Sequence, residues 1–198
     1  MSTPALTIDI RDGASPRLRA FLAGLTGTDR LHASIAQRAL TLTHSYFSEL
    51  AATRHATANA LGATPTGHWS QAADRTTVTS DAAGVTLSID QPGIGRAAHE
   101  VTITPSGGRQ FLTIPLTAAS YGRPAENFPD LFVLRPQQSH ALFLAHKEGD
   151  DLSLLYALVR DVTQPQDRTL LPSDEDYTQA ALSGVSDYLA SLPSGQTP

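Results

Sequence analysis

The chain has no cysteine. Disulfides, thiolate zinc centres and cysteine nucleophiles are therefore excluded. Long apolar runs are missing too: no window approaches the roughly 18 residues that a membrane span needs. The opening stretch MSTPALTIDIRDG lacks the basic region and apolar core of a signal peptide. Positive charge is scarce. Fourteen Lys and Arg face 19 Asp and Glu, a formal net charge of −5, which leaves no electrostatic footprint for nucleic acid. These absences lead to the expectation of a protein made in a cytosol-like compartment, with no membrane and no specific nucleic-acid sequence among its partners.

What remains has an ordinary globular composition. The 198 residues are 40% hydrophobic and 17% charged, too apolar for a disordered chain and enough for one domain with its own core. Leu6, Ile8 and Ile10 alternate with polar residues as in a half-buried strand, and Ser15-Pro16 opens a short helix. From Asp29 to about Ala60, Leu31, Ile35, Ala39, Leu42, Tyr46, Phe47, Leu50 and Ala51 recur every three to four residues. That pattern predicts one long helix with this stripe in the core, ended by Gly62. Residues 62–73 read as a loop with a short helical piece. Trp69 within it either faces a partner or plugs the sheet against the long helix.

The middle of the chain reads as strands. Val78 precedes a turn at Asp81–Gly84, and Val85, Leu87 and Ile89 follow with period two, a hairpin. Val101–Thr104 and Phe111–Leu116 flank the Ser106-Gly107-Gly108-Arg109 turn. Leu131–Arg135, Ala141–His146 and Leu154–Val162 come next, the last two joined by the acidic turn Glu148–Asp151. Ser173 then caps a closing helix, with Asp174, Glu175 and Asp176 complementing its dipole. The expected fold is a single α+β domain over residues 1–192, with a disordered tail at 193–198. Its antiparallel sheet of about six or seven strands packs on the long helix, and a C-terminal helix closes the chain.

Chemistry is sparse. His44 and His55, eleven residues apart on one helix, would stand about 16 Å apart and share no metal. The seven histidines include no HExxH or HxH pair, and no GxSxG occurs. GIGRAA follows a Pro-Gly turn instead of a buried strand, so it is discounted as a dinucleotide loop. No cofactor, metal or catalytic residue is expected. The competing reading is a hydrolase or other enzyme with a histidine-based metal site assembled in three dimensions.

Four stretches in order carry a resemblance: LTIDI, YFSELAATRHATANALGATPTGHW, FLTIPLTAASYGRPAENFPDLFVL and LLYALVRDVTQPQDRTLLPSDEDYTQAALSGVSDYLA. Together they resemble bacteriophage tail completion and virion morphogenesis proteins, the Mu-like morphogenesis and neck or minor tail group. The shared features at the end are Val162, Pro165, Arg168, Leu171, Pro172 and the helix from Ser173. The link TQPQDRTLLP departs from the group's pattern, which has a run such as IPARPF, by Gln164 and an extra Asp167. The resemblance implies a non-enzymatic structural protein that completes tails or joins heads to tails. It would be assembled in the bacterial host cytoplasm, located in the virion, and partnered by other tail or neck proteins. It implies a homo-oligomeric ring in the virion and allows a monomer in isolation. The candidate partner contacts are His68, Trp69, Tyr121, Arg123, Phe128 and Arg168. Pro165 and Pro172 would fix the angle between sheet and closing helix.

Overall fold

The computed structural model describes residues 28–137 and 140–192. The strand expected at Leu6–Ile10, the short helix after Pro16 and the tail at 193–198 lie outside the described residues. The chain is α+β, with a long helix in its N-terminal half, antiparallel strands and a C-terminal helix. The described residues fall into two compact units, one holding 28–42, 77–88 and 174–192, the other 43–76, 89–137 and 140–173.

Helix α1, Thr28–Thr53, contributes to both units. It is shorter than expected. A break at Arg54-His55 separates it from α2, Ala56–Leu61, which Gly62 ends in the left-handed conformation at φ +63. The break falls at Arg54, whose amide still bonds the Leu50 carbonyl at 2.8 Å and whose side chain makes the contacts described below. The buried stripe also differs from the expected one. Ala36, Thr43 and Phe47 are the buried positions of α1, whereas Leu31, Ile35, Leu42 and Leu50 are half-buried.

In the first unit, α5, Asp174–Ser191, lies against the first half of α1. Gly184 makes that approach possible: a Cβ there would stand 2.7 Å from Cα of Ile35. Ser34 donates its hydroxyl to the Gly184 carbonyl at 2.8 Å, and Arg38 pairs with Asp187 at an exposed edge. The expected hairpin is present as β1, Thr76–Asp81, and β2, Gly84–Ile89. Asp81 Oδ1 accepts from the amides of Ala83 and Gly84, which closes its turn.

The second unit holds the larger sheet. Short helices α3, His68–Asp74, and α4, Ile94–Ala97, precede β3, Val101–Ile103, and β4, Leu112–Pro115. Strands β5, Phe132–Leu134, β6, Leu142–Glu148, β7, Asp151–Val159, and β8, Val162–Gln164, follow. Four strands form one antiparallel sheet in the order β4-β7-β6-β5, while β3 pairs with β8 alone. The expectation of one sheet of about six or seven strands is thus met only coarsely, since eight described strands divide among three sheets. The strands flanking Gly107-Gly108 do not pair with each other; each takes a partner distant in sequence. A bulge between Leu144 and Ala145 leaves Leu155 of β7 as the extra residue.

The core of this unit is Phe47, Ala72, Ala73, Ile94, Ala97 and Leu170, with Trp69, Tyr46 and Leu171 packed on it. No residue of the four-stranded sheet belongs to that cluster. The long helix therefore builds its core here against α3, α4 and the segment at Leu170. GIGRAA is accounted for as α4, with Ile94 and Ala97 buried.

Candidate functional site

The break after α1 frees Arg54 to reach sideways. Its guanidinium lies 5.2 Å from the centre of the Trp69 ring. Nη2 donates to Asp167 Oδ2, and Nη1 donates to the Thr169 carbonyl at 3.3 Å. Asp167 Oδ1 accepts from the Thr169 amide at 2.9 Å and its hydroxyl at 2.8 Å. Burial pushes the Asp167 carboxyl up, but the bonds from Thr169 and Arg54 outweigh it and hold the group below the usual carboxylate range. The same segment is fastened from other sides. Asp167 N–H donates to Ala97 O at 2.9 Å, Gln166 Nε2 to Ala98 O at 3.1 Å, and the Tyr46 hydroxyl to Thr169 O at 2.8 Å. Leu170 then enters the core. The link between β8 and α5 is therefore bolted along most of its length, and the extra Asp167 is its central acceptor.

Beside this clamp lies a cleft of about 350 Å³. Arg54 and His55 come from the helix break, residues 65–70 from the turn into α3, and Tyr121 from the long loop before β5. Trp69 packs on the long helix and its core cluster, which includes no residue of the four-stranded sheet, so it does not plug that sheet against the helix. It stacks on Phe47 of the long helix at 6.1 Å and lines the cleft with its remaining surface. His68 meets the Trp69 ring edge-on at 5.0 Å. The side-chain amide nitrogen of Gln91 stands 3.2 Å from His68 Nδ1. Burial lowers the His68 pKa below the ordinary imidazole value. Gln91 is itself buried, and its Oε1 finds no partner among the described residues.

The long loop at 118–130 is tied to the sheet. Ser120 is buried and closes a turn with Thr117. Tyr156, buried on β7, donates its hydroxyl to Arg123 O at 2.8 Å and meets the Phe128 ring edge-on at 5.9 Å. Burial raises the Tyr156 pKa, with the Arg123 charge opposing in part. The Arg123 guanidinium covers Phe128 at 4.5 Å. A Cβ on Gly122 would stand 2.6 Å from Thr66 Cγ2, so this loop and the one before α3 meet.

The six sequence candidates thus divide. His68, Trp69 and Tyr121 share the cleft. Arg123 and Phe128 form a second cluster on Tyr156. Arg168 is exposed, and neither cluster includes it. The arginine that matters in the link is Arg54, which the sequence reading passed over as one more residue of a continuous helix. Asp167 was visible only as a departure from a pattern. Among the described residues no group of three or more His, Asp or Glu side chains is arranged to hold a metal ion. No helix among them is long and apolar enough to cross a membrane.

No family model, curated protein or solved structure matches this chain.

Proposed function

We propose that this chain is a structural subunit of the tail end or neck of a phage or prophage particle, acting in tail completion and head–tail joining without catalysis. Residues 1–192 would serve as its working domain and associate as a homo-oligomeric ring with other tail or neck proteins. The observation that carries the reading is the fastened link. Six hydrogen bonds tie Gln166, Asp167 and Thr169 to groups distant in sequence. A connector held this way presents a fixed surface on its own unit, which suits a subunit whose surfaces must repeat identically around a ring. The order of the four resembling stretches supports the same reading.

The test is deletion of the gene from an inducible prophage that carries it, followed by imaging of the particles. The expected result is separate heads and tails, or tails with faulty ends. Normal infectious particles would refute the proposal.

A further inference from the structure

We propose that the cleft beside Trp69 receives the acidic β6–β7 turn of a second copy of this chain, joining subunits head to tail. The inference rests on the homo-oligomeric assembly proposed above and names its contact. Two surfaces of one compact unit are chemically complementary. The cleft offers donors and aromatic surface from Arg54, His55, His68, Trp69, Ser70 and Tyr121, and no carboxylate lines it. The turn offers the converse. Glu148, Asp150 and Asp151 are exposed, and none forms an ion pair among the described residues. Gly149 holds the turn at φ +61. Leu152, next along β7, is 51% exposed and supplies an apolar group for the aromatic wall.

Arg54 already serves Asp167 and Thr169 through two nitrogens, so its remaining N–H groups act with the two imidazoles and the Ser70 hydroxyl. Bonds from such donors to a carboxylate are charge-assisted and orient the contact more than they deepen it. No residue of the turn lines the cleft of its own subunit, so a turn that fills a cleft comes from a neighbour. The surfaces that meet are unlike, which makes the contact heterologous; repeated, it closes into a ring or runs on as a filament.

The absence of cysteine makes a cross-linking test selective. One full-length variant carries Ser70→Cys at the exposed rim of the cleft, a second Asp150→Cys in the turn. Mixed in equal amounts and mildly oxidised, they are expected to give the mixed disulfide dimer as well over half of the cross-linked product, the share that random pairing yields. Adding Asp151→Lys to the turn variant, or raising the salt concentration, is expected to cut the mixed dimer several-fold. A control with Ser183→Cys on exposed α5 in place of Ser70→Cys should give only the random share. A random share from the cleft and turn pair, insensitivity to Asp151→Lys, or equal capture by the α5 control would each overturn the contact. Those outcomes are separable from failure of the proposed function, which is read from particles after gene deletion and not from cross-linking.

Discussion

Asp167 shows how one carboxylate can hold a segment that has little core of its own. Its side chain is 20% exposed and receives Thr169 on one oxygen and Arg54 on the other. Asp167→Ala is expected to cost about 1–2 kcal/mol at neutral pH, the range for hydrogen bonds to a charged group discounted for a partly exposed partner. Because its folded pKa lies below the ordinary value, this contribution is complete above about pH 4 and disappears as pH falls through the folded pKa. The gap between the melting temperatures of the two proteins should therefore be constant from pH 7 to about pH 4 and narrow as the pH falls further; a gap that stays constant into strong acid would mean the charge is irrelevant. His68 works in the other direction. Burial disfavours its charged form, so the unfolded chain takes up the proton first. Stability is whole above the ordinary imidazole value of about 6.5 and declines as pH falls from there toward the folded pKa. His68→Gln should flatten that decline, and parallel melting profiles for the two proteins would contradict this account.

Among the elements, α5 and α4 make opposite demands on glycine. Gly184 sits mid-helix, where alanine is favoured by about 1 kcal/mol on propensity alone. The sequence pattern offers no reason for it. The reason is the backbone of Ile35, whose Cα and N would lie 2.7 and 2.9 Å from a new Cβ. Gly184→Ala is expected to destabilise by about 1–3 kcal/mol, since backbone cannot step aside as a flexible side chain can. Gly95→Ala in α4 meets nothing within 4 Å and should be neutral or slightly stabilising. Denaturant midpoints compare the pair directly, and equal effects would show that the helix approach is looser than its geometry implies. The same scale explains what was legible. Val85, Leu87 and Ile89 alternate, and a hairpin follows from that alternation and its turn. The end of α1 was not legible, because no glycine or proline marks it and the break falls inside the span read as one helix.

Over the whole chain, the two link prolines sit in different surroundings. Pro165 is exposed and Pro172 is buried. Pro165→Ala is expected to change stability by no more than about 0.5 kcal/mol, as for surface substitutions generally; under the proposed particle role it should nonetheless lower incorporation, since the proline ends β8 and starts the link. Pro172→Ala should lower both. Melting temperature and particle incorporation measured side by side distinguish these outcomes. If Pro165→Ala lowers stability and incorporates no worse than that loss implies, the link is a folding device and does not set assembly geometry.

The sequence by itself determined the class of the main described segments, namely the long helix, the period-two strands, the acidic turn and the closing helix, because local periodicity and turn chemistry act over a few residues. It also determined the candidates that reached the cleft, His68, Trp69 and Tyr121, through the turn-rich loops that carry them. Strand partnership was decided only by the tertiary structure. Strand β3 takes β8 and β4 takes β7, across separations that no local pattern encodes. The Arg54–Asp167 clamp and the small residue at Gly184 belong to the same class. A charge pair or a close backbone approach between distant segments leaves no periodic trace in either one, so its residues stand out only once the chain has brought them together.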